Sequence, residues 1–133
     1  MIVLRLKLKG QEDVVYTYGK FLDDIFNFIY TLKERNINIK AVYGIPKGGL
    51  IPAVLLANRI GCKLYLDYKK MIKDNPIKCC LVIDDISDSG KTLKNLNTKC
   101  YTCTMYIKEK TCYIPDFYFN IAKESDWLVF PWE

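Results

Sequence analysis

Apolar residues recur along this chain at two spacings, one typical of helices and one typical of strands. In residues 19–35, for example, Phe21, Ile25 and Leu32 recur at helical spacing, with acidic residues early and basic residues late, as the helix dipole favours. The pattern predicts helices over residues 19–35, 50–59 and 92–97, and strands over residues 2–8, 13–17, 39–45, 63–66, 79–83 and 101–107. It also predicts a turn over residues 9–12, a mobile loop over the lysine-rich residues 67–78 and an irregular tail after residue 108.

The order of these elements predicts an α/β fold. Strands alternate with helices, which is typical of a central, mostly parallel sheet that carries helices on both faces. With 133 residues, of which 50% are apolar, the chain can bury one core but not two. We therefore expect residues 1–133 to form a single domain.

Charge and apolar runs restrict the possible partners. A net charge of +5 suits an anionic small molecule, but the basic residues do not cluster into the stripe that nucleic acid requires. The apolar runs are interrupted too often for a membrane span, and no signal peptide is visible. We expect no nucleic-acid partner, no membrane partner and a cytoplasmic location.

The chain contains six cysteines and no histidine. The missing histidines exclude a Ser-His-Asp triad and any histidine general base, so carboxylates and lysines must carry out any catalysis. Cys100 and Cys103 have the Cys-x-x-Cys spacing of metal sites, although no second pair at zinc-ribbon spacing accompanies them. We favour the interpretation that they are small buried hydrophobic residues in strands, and metal binding stays open as the alternative.

The clearest chemical signal begins where the predicted strand 79–83 ends. Asp84 and Asp85 follow it directly, and a loop of small residues then leads to Thr92 at the start of a predicted helix. Backbone N–H groups at a helix start bind phosphate, and paired carboxylates bind ribose hydroxyls or magnesium. The string from Ser89 to Thr92 also resembles a nucleoside-triphosphate loop, but Asp85 occupies the position where that motif needs glycine.

A second loop with similar chemistry precedes the second predicted helix. It consists of four residues, Pro46, Lys47, Gly48 and Gly49, between the predicted strand 39–45 and the helix 50–59. Exposed backbone amides and one lysine at a helix start are suited to bind a second anionic group.

Together these two segments resemble the type I phosphoribosyltransferases. The resemblance implies that phosphoribosyl pyrophosphate is the donor, that its ribose and 5-phosphate bind the acidic loop, and that its pyrophosphate binds Pro46, Lys47, Gly48 and Gly49. It implies a non-proline cis peptide next to Lys47 and magnesium held by Asp84 and Asp85, directly or through water. Asp88 is the implied catalytic base. The implied ribose and 5-phosphate contacts are Asp84, Asp85, Asp88, Ser89, Gly90, Lys91 and Thr92.

The end of the chain resembles the bacterial xanthine-guanine branch of that family, through the pattern Trp127-x-x-x-Pro131-Trp132. The resemblance implies that residues 109–133 form a base-recognition hood in which Trp127 stacks on a purine, while Leu128 and Glu133 contact it through their backbones. Lys108 would donate to the 6-oxo group of the base. A homodimer or homotetramer is expected by the same analogy.

The expected function is transfer of ribose 5-phosphate to guanine, xanthine or hypoxanthine, with release of pyrophosphate. Residues 67–78 correspond to a loop that closes over the ribose in the family, and here this loop is shortened. Two alternatives stay open: a non-catalytic sensor of phosphoribosyl pyrophosphate or a nucleotide, and a phosphoribosyltransferase for another base.

Overall fold

The computed structural model describes residues 12–133, which form four α-helices and seven strands. The predicted strand 2–8 and almost all of the predicted turn lie outside the described residues. The helices are α1 (Tyr18–Glu34), α2 (Leu50–Ile60), α3 (Tyr68–Asp74) and α4 (Lys91–Leu96). The strands are β1 (Glu12–Val15), β2 (Ala41–Gly44), β3 (Lys63–Tyr65), β4 (Cys80–Ser87), β5 (Tyr101–Lys108), β6 (Phe117–Ala122) and β7 (Asp126–Val129).

Five of the strands form a central sheet in the order β3-β2-β4-β5-β6, and every pairing in it is parallel. Strands β1 and β7 form a separate parallel pair. The predicted α/β fold with a parallel sheet is confirmed. None of the helices in residues 12–133 is long and apolar enough to cross a membrane.

Each face of the central sheet carries its own apolar cluster and its own helices. On one face, α1 and α2 pack on side chains that include Leu81 and Ile83 of β4. On the other face, α3 and α4 pack on side chains that include Cys80 and Val82. Because successive residues of β4 point to opposite faces, both faces of this strand are apolar, as expected for a parallel sheet covered on both sides.

The two cysteines of the Cys-x-x-Cys spacing are buried in different clusters. Cys103 belongs to the cluster with α1 and α2, and Cys100 belongs to the cluster with α3 and α4. Both thiols are free, and no three Cys, Asp or Glu side chains within residues 12–133 converge as a metal-binding group. The interpretation as buried hydrophobic residues is therefore the one that the described structure supports.

The predicted loop over residues 67–78 is wrong. The segment forms α3 and a 3-10 helix at Ile77–Cys79. Asp67 caps α3 by accepting hydrogen bonds from the backbone of Lys69 and Lys70, and Met71 is completely buried in the cluster on this face of the sheet. The sequence looks polar because the remaining positions of so short a helix are mostly exposed.

The irregular tail predicted after residue 108 is also wrong, because the tail contributes β6 to the edge of the central sheet and β7 to the small pair. β7 runs parallel to β1, with Val14 opposite Leu128, so the described partner of β1 comes from the far end of the chain. The predicted strand over residues 79–83 is too short, since β4 continues to Ser87.

Candidate active site

The candidate site lies at the carboxyl end of the central sheet, between β2 and β4. Chain connections leave these neighbouring strands in opposite directions, β2 towards β3 and β4 towards β5. Such a divergence opens a crevice at the strand ends where α/β proteins bind ligands. Gly44 is the last residue of β2 and pairs with Ile83, so β4 carries Asp84 and Asp85 beyond its neighbour and into the crevice.

A cavity of about 270 Å³ fills this crevice and brings the two predicted loops together. From the first loop it is lined by Pro46 and Gly48, and from the second by most of the residues that the sequence predicted. Those residues are Asp84, Asp85, Asp88, Ser89, Gly90 and Thr92. The remaining predicted residues, Lys47, Gly49 and Lys91, do not line it.

The paired carboxylates are held by the backbone that follows them. Asp84 Oδ1 accepts from the backbone N–H of Asp85 at 2.8 Å, and Asp85 Oδ1 accepts from that of Ile86 at 2.7 Å. Burial, and secondly the charge of Asp85, raise the pKa of Asp84 to about 8. Burial also raises the pKa of Asp85, with a smaller contribution in the same direction from the charge of Asp88. A buried and a half-buried carboxylate in this arrangement favour a bound cation, which relieves their repulsion.

Magnesium fits this donor set. The ion is commonly bound by one or two carboxylates together with substrate phosphates and water, and Asp84 and Asp85 supply two adjacent carboxylates at the cavity wall. Within residues 12–133 no third Cys, Asp or Glu side chain joins them as a ligand group. We therefore expect a phosphorylated ligand and water to complete the coordination.

The loop from Pro46 to Gly49 lies against these carboxylates. Its Pro46–Lys47 peptide bond is cis, in agreement with the expectation for a bond next to Lys47. A Cβ atom at Gly48 would collide with the Asp85 carboxylate, so only glycine allows so close an approach. The Lys47 side chain is exposed and lines a neighbouring cavity of about 390 Å³, which also includes Gly48, Asp85 and Trp132.

The loop after β4 takes its shape from the residues that follow β5. Gly90 has φ = 88°, and a Cβ atom there would lie 2.5 Å from the backbone nitrogen of Tyr113. The N–H of Cys112 donates to the carbonyl of Ser89 at 2.8 Å, and the buried Ser87 hydroxyl donates to the carbonyl of Tyr113 at 2.7 Å. The loop after β4 is thereby fixed on its outer side by a turn that sequence reasoning did not connect with it.

A second cavity of about 390 Å³ adjoins the first and contains every predicted purine contact. Its wall includes Lys108, Trp127, Leu128 and Glu133 from β5 and the tail. Asp85, Ile86 and Asp88 line both this cavity and the smaller one. A ligand could therefore extend from one cavity to the other past these residues.

Lys108 lies in the wall of the second cavity but is only 7% exposed. Its ammonium donates to three backbone carbonyls, those of Lys123 at 3.1 Å, Glu124 at 3.3 Å and Asp126 at 2.6 Å. An ammonium has three N–H donors, so all of them are used within the protein. Donation to a 6-oxo group would require Lys108 to give up one of these bonds.

Sequence reasoning missed several wall residues. Ile86 is an apolar residue that follows the paired acids, so only the geometry identifies it as a wall residue. Phe130 and Trp132 stack with their ring centroids 5.4 Å apart, and their place in an aromatic-rich tail was the available signal. Another cavity, of about 750 Å³, lies around Lys78 and Tyr101, near the residues where β4 and β5 begin, and contains no predicted site residue.

No protein-family model matches the chain. It is 25% identical to a xanthine-guanine phosphoribosyltransferase of Gluconobacter oxydans, in a match that covers 77% of this chain and 74% of that protein. It is 28% identical to a protein of the same name from Cereibacter sphaeroides, with 71% and 69% covered.

Among solved structures, the purine phosphoribosyltransferase of Pyrococcus horikoshii superposes with a TM-score of 0.70. The sequences are 28% identical, and the match covers 91% of this chain and 94% of that one. The resemblance to type I phosphoribosyltransferases is thus confirmed in sequence and in fold, and with it the prediction that the chain is a transferase.

Proposed function

We propose that the chain transfers ribose 5-phosphate from phosphoribosyl pyrophosphate to a 6-oxopurine, forming a nucleoside monophosphate and pyrophosphate in purine salvage. The observation that carries this proposal is that two cavities meet at Asp85, Ile86 and Asp88, one lined by both anion-binding loops and one by Trp127. The names of the relatives from Gluconobacter oxydans and Cereibacter sphaeroides favour guanine and xanthine as acceptors.

The donor would bind in the smaller cavity. Backbone amides from Asp88 to Thr92, with the Ser89 and Thr92 hydroxyls, would bind its 5-phosphate, while Asp84 and Asp85 would hold the ribose hydroxyls. The departing pyrophosphate would lie towards Lys47, whose ammonium stabilises the negative charge that develops there. Magnesium held by Asp84 and Asp85 would supply further positive charge for the same purpose.

The acceptor would bind in the larger cavity, with its ring against Trp127 and its edge near the backbones of Leu128 and Glu133. As the bond from the sugar to pyrophosphate breaks, positive charge develops on the ribose ring, and the carboxylates of Asp84 and Asp85 stabilise it. The purine nitrogen then bonds to the sugar carbon. Asp88, which lines both cavities, would take the proton from that purine ring.

Residues 67–78 do not take part in either cavity wall, although the family resemblance implies a closing loop there. Met71 and Tyr68 instead tie α3 to the face of the sheet, where the Tyr68 hydroxyl donates to Thr98 at 2.7 Å. Exclusion of water from the reacting ribose would therefore depend on the ligands themselves and on residues 109–133.

The proposed reaction is tested by incubating the protein with labelled phosphoribosyl pyrophosphate, magnesium and one of guanine, xanthine, hypoxanthine, adenine or uracil. We expect nucleotide to form with the three 6-oxopurines, and omission of magnesium should abolish it. Nucleotide formed only with adenine or uracil would assign the chain to another base.

A non-catalytic sensor is the second candidate, and the packed helix α3 in place of a closing loop favours it. Calorimetry with phosphoribosyl pyrophosphate separates the two. Tight binding without turnover of any base supports the sensor, and binding accompanied by turnover supports the enzyme. A homodimer or homotetramer and a cytoplasmic location remain predictions from the sequence.

A further inference from the structure

The turn between β6 and β7 folds around the ammonium of Lys108. Within this turn, the N–H of Asp126 donates to the Lys123 carbonyl at 3.0 Å, and that same carbonyl accepts from Lys108 at 3.1 Å. The Asp126 side chain closes the turn from the other side by accepting from the N–H of Lys123 at 2.8 Å. Backbone carbonyls that point to one place repel each other, and the buried ammonium between them cancels that repulsion.

This turn determines where the base-binding residues lie. Asp126, whose carbonyl makes the shortest bond to Lys108, is followed directly by Trp127 and Leu128 on β7. β7 has no ladder with the central sheet and pairs only with β1 among the described strands. The Lys108 side chain, which comes from the last residue of β5, is therefore a direct polar link from the central sheet to the start of β7.

We infer that Lys108 is a positioning residue, which holds the hood turn over residues 123–126 and thereby places Trp127 against the base. This role rests on the proposed function, and it differs from donation to the 6-oxo group. All three ammonium donors are already used by carbonyls, so the main loss on removing the lysine is the position of the turn. Three carbonyls would then be left without their shared donor in a largely buried place.

The two roles predict different results for Lys108→Met, which keeps the length and apolar stem of the side chain. If Lys108 positions the turn, amide hydrogen exchange in residues 123–129 becomes faster. The KM for guanine and hypoxanthine, and the inhibition constant of adenine as a competitor of guanine, should then rise by a similar factor, about ten- to a hundredfold, because a charged hydrogen-bond donor is lost. The KM for phosphoribosyl pyrophosphate should stay within about twofold, since Lys108 does not line the smaller cavity.

Lys110→Met is the matched control, because Lys110 is exposed and only its backbone N–H bonds to the turn, at 3.0 Å from Glu124 Oε2. It should leave exchange and KM unchanged. Lys108→Arg, which retains several charged donors, should recover most of the protection. If Lys108→Met does not fold, Lys108→Gln keeps an amide donor and should show the same changes to a smaller extent.

Exchange in residues 123–129 that is as slow in Lys108→Met as in Lys110→Met would overturn the inference. So would a KM increase for guanine and hypoxanthine with an unchanged inhibition constant for adenine, which would assign Lys108 to the 6-oxo group. The exchange measurement needs no turnover. If the wild-type protein forms no nucleotide, the proposed function fails while the role of Lys108 in the turn is still decided.

Discussion

Gly48 lies directly against the carboxylate of Asp85, with no space between them for a side chain. This contact joins the loop of Pro46–Gly49 to the acidic end of β4, so the two segments that we propose to bind the donor share one wall. Because the contact is so close, we expect even one methyl group added at Gly48 to disturb ligand binding.

Gly48→Ala should weaken binding of pyrophosphate and of phosphoribosyl pyrophosphate, because the new Cβ must displace the Asp85 carboxylate or the loop. Calorimetry with each ligand and magnesium measures the loss. Gly19→Ala is the control, since the nearest atom to its Cβ would be 3.9 Å away and alanine favours the helix that contains it by about 1 kcal/mol. Equal affinities for wild type and Gly48→Ala would exclude a binding role for this contact.

Asp88→Asn should lower kcat much more than it lowers donor affinity. Asp88 is exposed where the two cavities meet, and loss of a general base typically costs about 100- to 10,000-fold in rate. Steady-state kinetics with guanine, together with calorimetry of donor binding, separates the two effects. Asp23→Asn, on the exposed side of α1, should change neither. An unchanged kcat would remove Asp88 as the base.

Asp84 should make the metal-free protein less stable as the pH rises. The pKa of Asp84 is about 8 in the folded protein and 3.8 in the unfolded chain. Between these two pH values the folded protein holds a proton that the unfolded chain releases. The stabilisation is complete below pH 3.8 and is lost as the pH rises through about 8. Urea unfolding between pH 5 and 8 should show a falling free energy of unfolding, and Asp84→Asn should flatten the slope. Asp23→Asn should keep the wild-type slope, and a rise in stability over this range would contradict the prediction.

Trp127→Ala should raise the KM for guanine without changing the affinity for phosphoribosyl pyrophosphate. Trp127 lines only the larger of the two adjoining cavities, and stacking of a base on an aromatic ring contributes about 1–3 kcal/mol. Initial rates at varied guanine measure the change, and Trp127→Phe should retain part of the affinity. If the KM does not move, Trp127 serves only to pack the end of the chain.

Met71→Ala should destabilise the protein by about 2–5 kcal/mol, because it leaves a cavity where a completely buried side chain packs α3 on the sheet. Chemical unfolding measures this loss. Lys70→Ala, at the exposed neighbouring position, should stay within about 0.5 kcal/mol of wild type. If Met71→Ala lowers the free energy of unfolding no more than Lys70→Ala does, residues 67–78 behave as the loop that the sequence predicts.

The sequence by itself determined the features that depend on neighbouring residues. The periods of apolar residues located α1, α2 and four of the five strands of the central sheet, β2 to β5, since each period reflects which side of one local element is buried. The paired acids Asp84 and Asp85 and the loop after them could be recognised because a phosphate loop is continuous in the chain. The end of α2 is also local, because Gly61, the residue that follows the helix, adopts φ = 69°.

Only the tertiary structure decided the features that depend on distant partners. β7 pairs with β1, which lies more than 100 residues earlier in the chain, and Val14 faces Leu128 in this pair. The four residues of β7 are too few for an apolar period that would predict the pairing. α3 has one buried side chain, Met71, among exposed lysines, so its stability comes from packing against the sheet and not from local pattern. The three hydrogen bonds of the Lys108 ammonium also depend on distant partners. Every residue has a backbone carbonyl, so the sequence does not show which carbonyls accept, and only folding brings these three around one ammonium.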